Sequence, residues 1–316
     1  MASNIDDGGG DIAAAIIAVG AAPSDWRVHF NLGCAYLHHN MFSEAIAPFE
    51  RARHIDGSQV ATHLNLSAAL TNSGDGVAGE SAARAAIALD PSCGGYFWLG
   101  NALRQQGRPE TAAAMFRKHL ELNPLDMLAR CNLGLALGHA GHHQDALTEF
   151  LTVLVDRPDD LKALHGAGTT LRKLGDDEGA ISMLRRACDV NPNDPELWLI
   201  LGSCLADTER FIEALDAFER LLAIDPDDVK ANYNQVAVLI NLGRAFDAVE
   251  RAERALSLGP QHSRIATLLE IARKHVSAQL GRLSDDGNWF WDGQKWQPAM
   301  SEDGQWRWDG REWQRA

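Results

Sequence analysis

The sequence predicts an all-α solenoid of about seven helix–turn–helix repeats, followed by a small C-terminal β-hairpin module. The first observation is the spacing of six prolines, which is 33 or 34 residues throughout: Pro91, Pro124, Pro158, Pro192, Pro226 and Pro260. A period of 34 residues is typical of stacked two-helix units. The second observation is that six of the nine tryptophans fall within the last 28 residues, where the repeat pattern has ended.

Composition limits the classes of function. The chain has 316 residues, with 29 Lys and Arg against 43 Asp and Glu, and a net charge of −14. The 46% hydrophobic content excludes wholesale disorder, and the excess of acids argues against a general nucleic-acid partner. Five cysteines without a CxxC pair favour a reduced, cytoplasmic compartment and exclude a disulfide framework: Cys34, Cys93, Cys131, Cys188 and Cys204.

The N-terminal segment, residues 1–25, is expected to form a capping helix. Its apolar stretch from Ile12 to Ala22 follows acidic residues and contains no Lys or Arg. A secretory signal needs a positive leading region, and a membrane span needs roughly 18 apolar residues, so neither is predicted. The stretch stands where the second helix of a preceding repeat would lie, so we expect it to cover the first repeat.

Seven repeats are predicted over residues 26–262, beginning near residues 26, 60, 93, 127, 161, 195 and 229. A small residue recurs where two helices must approach closely, at Gly33, Ser67, Gly100, Gly134, Gly168 and Gly202. Glycines are placed to end the first helix of five repeats: Gly74, Gly107, Gly141, Gly175 and Gly243. The recurring proline then ends the second helix. Residues 263–283 are predicted to form a C-terminal capping helix with basic residues toward its end.

Two repeats carry the family resemblance most completely. They read Leu32-Gly33…Tyr36…Ala45…Phe49…Ala52 and Trp198…Leu201-Gly202…Leu205…Ala214…Phe218…Pro226. This pattern resembles that of tetratricopeptide repeat (TPR) proteins. The resemblance implies a right-handed superhelix whose concave surface is lined by the first helix of each repeat, with peptide segments of partner proteins as ligands. It implies a non-catalytic scaffold.

Asparagine recurs at position 6 of the repeats, counting from the first residue of each. The seven residues are Asn31, Asn65, Trp98, Asn132, Gly166, Ile200 and Asn234. The four asparagines resemble the asparagine ladder of certain TPR superhelices, including those of O-linked GlcNAc transferases, which implies binding of a peptide backbone. An amide suits this task because it offers both a donor and an acceptor. The alternative is that Asn is merely tolerated beside the Leu-Gly pair.

Basic residues dominate the other positions expected to face a ligand. They are Arg27, Arg104, Lys162, Arg172, Lys173 and Lys230, with His165 beside them, against the two acids Glu196 and Asp207. Such segregation would steer a polar or acidic segment to this face. The helix dipole alone explains Arg104, Arg172 and Lys173, which end their helices. The carboxylate clamp of chaperone-binding TPR proteins is not predicted, because the first three repeats retain only Asn65 of its pattern.

The tail, residues 284–316, contains two copies of a tryptophan-rich motif. They run from Asp286 to Gln297 and from Asp303 to Gln314, and each contains the turn-forming pair Asp-Gly. A two-residue turn at each pair would place Trp289 opposite Trp296 and Trp306 opposite Trp313, in a four-stranded meander. The motif resembles short W-x-W-D-G-x-x-W repeats appended to bacterial proteins. Its predicted contact residues are Trp289, Trp291, Trp296, Trp306, Trp308 and Trp313.

The leading functional hypothesis is a non-catalytic, cytoplasmic scaffold that binds a protein or peptide partner, with a homo-oligomer as a further possibility. Neither a cofactor nor a metal is predicted, and His139, His142 and His143 are interpreted as solvated loop residues. One alternative makes the tail the ligand module for a glycan, cell-envelope material or a proline-rich segment. Another is a substrate-recruiting accessory subunit of a glycosyltransferase. The alternative for the tail tryptophans is that they only build the core of the module.

Overall fold

The computed structural model describes residues 12–258, 263–280, 282, 288–292, 295–302, 304–309 and 312–315. Within these residues the chain forms sixteen helices and four short strands, as the predicted fold class requires. It divides into two compact units, residues 1–175 and 176–316, so that the boundary lies directly after the first helix of the fifth repeat. The first part of the predicted N-terminal cap, residues 1–11, lies outside the described residues. So do residues 283–287, where the predicted C-terminal cap ends and the tail begins.

Unit 1 is a stack of ten helices in which each helix packs against the next in sequence. The helices are α1 (Ile12–Ala21), α2 (Trp26–His38), α3 (Phe42–Ile55), α4 (Val60–Asn72), α5 (Gly76–Leu89), α6 (Gly95–Gln105), α7 (Pro109–Leu122), α8 (Met127–His139), α9 (His143–Asp156) and α10 (Leu161–Leu174). The first helices of successive repeats, α2 to α10 in even numbers, also contact one another. The first helices therefore share one face.

Unit 2 continues the pattern and ends in the tail. Its elements are α11 (Asp177–Val190), α12 (Pro195–Asp207), α13 (Phe211–Ile224), α14 (Val229–Asn241), α15 (Ala245–Leu258), α16 (Ser263–Gln279), β1 (Trp289–Trp291), β2 (Trp296–Pro298), β3 (Trp306–Trp308) and β4 (Trp313–Arg315). Helix α16 packs against both α14 and α15. Among the described residues, no helix is long and apolar enough to cross a membrane.

A glycine–phenylalanine pair lies between the two helices of four repeats. A Cβ atom added to Gly134 would lie 2.8 Å from the ring of Phe150, and one added to Gly33 would lie 2.6 Å from the ring of Phe49. The same contact occurs at Gly100 with Phe116 and at Gly202 with Phe218. These phenylalanines are at most 1% exposed. Glycine is therefore needed at position 8 because a phenyl ring fills the space that its side chain would take.

A second recurring contact joins the first helix to the loop before it. The side chain at position 4 hydrogen-bonds the carbonyl oxygen six residues earlier in five repeats, at 2.8–3.2 Å. The residues that do so are His29, His63, Arg130, Trp198 and Asn232. In two repeats a cation at position 26 lies over the position-4 ring: Lys118 over Tyr96 and Arg220 over Trp198.

The tail forms two antiparallel hairpins with a register that differs from the prediction. Trp291 is opposite Trp296 and Trp308 is opposite Trp313, while Trp289 and Trp306 are opposite Pro298 and Arg315. The predicted two-residue turns are therefore wrong, and each loop has four residues, 292–295 and 309–312. The reason is that each aspartate begins its turn. Its carboxylate accepts the N–H three residues later, at Lys295 and Glu312, at 2.9 Å.

The hairpins form two separate two-stranded sheets instead of the predicted continuous four-stranded meander. They are joined by a bridge between Met300 and Arg307. The tail has a small aromatic core in which Phe290 stacks on Trp308, with the ring centroids 5.0 Å apart, and Trp313 packs edge-on against both. Trp291 contacts Phe246 of α15, with ring centroids 6.2 Å apart. This contact places the first hairpin against the last repeat.

Candidate functional site

The first-helix face of unit 1, formed by α2, α4, α6, α8 and α10, holds most of the predicted ligand-binding residues. Two pairs of adjacent helices on this face are connected by hydrogen bonds that the asparagine at position 6 donates. The amide nitrogen of Asn65 lies 3.4 Å from the sulfur of Cys34, and that of Asn132 lies 3.3 Å from the amide oxygen of Asn101. Both partners occupy position 9 of the preceding repeat. Unit 2 has the same arrangement within itself, where the amide nitrogen of Asn234 lies 3.5 Å from Oγ of Ser203.

A polar relay runs across three successive first helices of unit 1. The Nζ atom of Lys162 on α10 donates to the amide oxygen of Asn132 on α8 at 2.6 Å. Asn132 in turn donates to Asn101 on α6. The two asparagines are nearly buried, with 3% and 9% of their surface exposed, whereas Lys162 is exposed. The relay therefore holds the ammonium group of Lys162 by a hydrogen bond to one buried amide, which is itself bonded to a second.

Lys162 has charged neighbours of both signs. Loss of surrounding water lowers the pKa of its ammonium group, and the like charge of Arg104 lowers it further, although Cys131 and Asp160 act in the opposite direction. The Nε atom of Arg104 is buried, and within the described residues it has no hydrogen-bond partner. Lys162 and Arg104 are therefore close enough to repel each other, and Asp160 offsets part of their positive charge.

The position-6 residues differ in their exposure. Asn31 is exposed and Asn65 is half-buried. Asn132 does not fit the predicted ladder, because it is buried and both ends of its amide are already hydrogen-bonded within the protein. Gly166 interrupts the ladder for a packing reason, since a Cβ atom there would lie 2.4 Å from the ring of Phe150.

The remaining predicted bases lie at separate places. Arg27 is exposed, pairs with Asp25 at 3.4 Å and lies over the ring of Trp26. His165 is half-buried on α10, and Arg172 and Lys173 are exposed in the last turn of the same helix. Lys230 is exposed on α14 and belongs to unit 2, together with Asn234.

Asn101 is absent from the residues predicted from sequence, because the prediction comprises asparagines at position 6 and basic side chains at other positions. Its signal is the spacing of 31 residues to Asn132, which equals the spacing between Cys34 and Asn65. The first helices of consecutive repeats are neighbours. A side chain at position 9 of one repeat can therefore reach the side chain at position 6 of the next repeat.

The tail tryptophans divide into exposed and packed residues. Trp289 and Trp306 are each 45% exposed, and Trp313 is 40% exposed although it contacts the aromatic core. Trp291 and Trp308 are half-buried against Phe246 and Phe290. The side chain of Trp296 lies outside the described residues.

Structural comparison shows the same fold in other proteins. A chain of the APC/C hetero-tetramer Cut9–Hcn1 aligns with a TM-score of 0.62 and 20% identity, covering 72% of this chain. The alignment covers 45% of that chain, so the present chain spans less than half of its length. A fragment of MamA from Desulfovibrio magneticus RS-1, residue 41 to the end, aligns with a TM-score of 0.50 and 22% identity, over 53% of this chain and 94% of that fragment. No curated protein matches the sequence.

Family models for the tetratricopeptide repeat match most of the chain. One matches residues 7–60, 65–126, 97–162 and 165–229, and a second matches residues 205–271. The matched ranges contain the repeats whose glycine–phenylalanine pairs and interhelical contacts are described above. The chain therefore belongs to the tetratricopeptide repeat family.

Proposed function

We propose that the protein is a non-catalytic, cytoplasmic interaction scaffold, and that the first-helix face of unit 1 binds an extended acidic segment of a partner protein. The observation that carries this proposal is the relay from Asn101 through Asn132 to Lys162. Burying two amides to hold one exposed ammonium group costs desolvation, and in this proposal a bound carboxylate offsets that cost. Arg104 contributes the second cation.

The other predicted residues have graded roles in this proposal. Asn31 and Asn65 offer amides to the peptide backbone, since both retain exposed surface. His165, Arg172 and Lys173 extend the basic surface along α10. Asn132 acts as a positioning residue that holds Lys162 and does not itself contact the peptide. Lys230 and Asn234 form a separate, smaller surface on unit 2.

The test is the binding of fluorescein-labelled hexaglutamate to the full chain, measured by fluorescence anisotropy. We expect Lys162→Ala to weaken binding by about tenfold, which is the loss of about 1.4 kcal/mol expected for a hydrogen-bonded charge pair. Lys118→Ala is the matched control, because Lys118 lies on a second helix over the ring of Tyr96. Equal effects of the two substitutions would show that binding reflects net charge and not the relay.

The pH dependence gives an independent readout. Because the peptide binds the protonated Lys162, affinity should fall as pH rises through the lowered pKa of its ammonium group, at a lower pH than an ordinary lysine would give. Lys162→Arg should bind independently of pH over the same range, since a guanidinium group stays charged. A pH profile that is identical in the two proteins would contradict the assignment of Lys162 as the contact residue.

The exposed tail tryptophans support a second candidate function. Trp289 and Trp306 occupy the same place in the two hairpins and each keeps 45% of its surface exposed. Indole faces exposed at equivalent positions suit repeated contacts with a partner or a glycan. The full chain and the variant Trp289→Ala/Trp306→Ala, compared by affinity capture from native lysate, distinguish this function from binding to unit 1. Loss of capture in this variant, with Lys162→Ala unaffected, would favour the tail.

A further inference from the structure

A cavity in unit 2 is lined in part by Gln235, a buried residue whose amide has no hydrogen-bond partner among the described residues. It has a volume of about 320 Å³ and lies among α13, α14 and α15. Its lining residues are Glu219, Leu222, Ala223, Pro226, Asn232, Gln235, Arg251 and Arg254. This volume is near the lower end of the range for small-molecule sites.

Gln235 is the most unusual residue of this cavity. It is 1% exposed, and neither its amide nitrogen nor its amide oxygen has a hydrogen-bond partner among the described residues. Gln235 stands at position 7, where five other repeats have a buried leucine and the fifth repeat has alanine. A buried amide that replaces leucine and has no partner is unfavourable unless a ligand completes its hydrogen bonds.

The preceding repeat has an aromatic ring at the place that corresponds to this cavity. In that repeat Arg220 lies over the indole ring of Trp198, with 5.2 Å between the guanidinium carbon and the ring centroid. The same two positions in the last repeat are occupied by Arg254 and Asn232, which both line the cavity. Asn232 keeps the bond to the loop carbonyl of Pro226, at 3.2 Å, but it has no ring. The last repeat therefore lacks the planar group over which this arginine would lie.

The charges of the cavity favour an anion. It is lined by two arginines and one glutamate. Within the described part of the chain, no ion pair joins the side chain of Arg251 or Arg254 to an acid, whereas Arg220 pairs with Asp216 at 3.0 Å. With one carboxylate beside them, these two guanidinium groups give the cavity a net positive charge that an anion can neutralise.

We infer that this cavity binds a small planar organic anion that carries a carboxylate and a hydroxyl group, such as a hydroxylated aromatic acid. The planar ring takes the place beneath Arg254 that Trp198 takes beneath Arg220. The carboxylate pairs with Arg251. In the complex the side chain of Gln235 turns toward the ligand. The hydroxyl group then accepts a hydrogen bond from the amide nitrogen of Gln235 and donates one to its amide oxygen, so that both atoms are satisfied.

The test is the titration of the full chain with 4-hydroxybenzoate by isothermal titration calorimetry and by thermal unfolding. Three related compounds each lack one feature: benzoate lacks the hydroxyl group, 4-hydroxybenzamide lacks the charge, and trans-4-hydroxycyclohexanecarboxylate lacks the planar ring. We expect 4-hydroxybenzoate to bind most tightly and to raise the unfolding temperature. Equal affinity for all four compounds, or no binding of 4-hydroxybenzoate at millimolar concentration, would overturn the inference.

Substitutions locate the binding in the cavity. Gln235→Leu, the residue of five other repeats, should raise the unfolding temperature of the free protein and weaken binding at least tenfold. Asn232→Trp should fill the cavity with the indole of the preceding repeat and abolish binding. Arg254→Ala should also weaken binding at least tenfold.

Arg220→Ala is the matched control, because Arg220 occupies the same repeat position but lies over Trp198. Its affinity should stay within about twofold of the unsubstituted protein. Retained affinity in Gln235→Leu or in Asn232→Trp would place the compound elsewhere and overturn the inference. A lower unfolding temperature for free Gln235→Leu would do the same, since it would mean that Gln235 already has a partner.

Discussion

At the scale of single residues, one backbone position controls how each repeat turns from its first to its second helix. Position 15 has a positive φ in all seven repeats, as glycine in five of them and as Asn40 and Glu209 in the other two. Asparagine tolerates this conformation through its short polar side chain, whereas glutamate gains no such compensation. Glu209, with φ of 60°, is therefore strained, because it adopts the left-handed conformation that all seven repeats share at position 15.

Replacing Glu209 by glycine should stabilise the protein. Removing the Cβ atom relieves the left-handed strain, and we expect the free energy of unfolding to rise by about 1 kcal/mol. The measurement is urea unfolding followed by circular dichroism. Glu250→Gly, on the exposed surface of α15, is the control and should destabilise the protein by about 1 kcal/mol because it lies inside a helix. A decrease in stability for Glu209→Gly would contradict the strain argument.

At the scale of helices, positions 8 and 24 of a repeat vary together. Glycine at position 8 accompanies phenylalanine at position 24 in four repeats, with the ring filling the place of the missing side chain. The second and seventh repeats instead pair Ser67 with Ala83 and Val236 with Ala252, and all four of these residues are buried. In the seventh repeat bulk is thus moved from the second helix to the first, which keeps most of the volume between them, whereas in the second repeat both side chains are small.

This exchange predicts a coupling between Gly134 and Phe150. Gly134→Val should destabilise the protein by about 1–3 kcal/mol through overpacking, and Phe150→Ala by about 3–5 kcal/mol through a cavity. The double variant reproduces the pair Val236 and Ala252, so its loss of stability should be smaller than the sum by about 1–3 kcal/mol. A double-mutant cycle in urea measures this difference. Strict additivity would mean that the two side chains do not share one space.

At the scale of the whole molecule, the tail is attached to the last repeat through one aromatic contact among the described residues, that of Trp291 with Phe246. Backbone bonding supports it, because the N–H of Trp291 donates to the carbonyl of Arg282 at 3.0 Å. Of the other tail tryptophans whose side chains are described, Trp308 and Trp313 build the core of the hairpins, and Trp289 and Trp306 are exposed. The indole of Trp291 thus holds the tail against a helical repeat.

Removing this contact should release the tail. An aromatic pair contributes about 0.5–1.5 kcal/mol beyond buried area, so Trp291→Ala should increase the rate of tryptic cleavage at Lys295 several-fold. Phe246→Ala should have a similar effect, since it removes the other ring. Trp306→Ala is the matched control and should leave the rate unchanged, because that indole is exposed. If Trp306→Ala accelerates cleavage as much as Trp291→Ala, the contact with α15 does not hold the tail.

The sequence by itself determined the repeats, because a 34-residue period of prolines, glycines and paired apolar residues is a local signal that each helix pair obeys independently. It also predicts the first-helix face as the ligand-binding face, since the family pattern assigns each repeat position to a side of the helix. Tertiary structure decided the rest. Asn132 proved to be buried and bonded to Asn101, Gly166 proved to be required by Phe150, and the hairpins took a register set by aspartate side chains. The cavity beside Gln235 lies among α13, α14 and α15, where Asn232 stands at the repeat position that a tryptophan occupies in the preceding repeat. Each of these depends on side chains 16 to 31 residues apart, or on hydrogen bonds within a loop, and a pattern along the chain does not specify such distances.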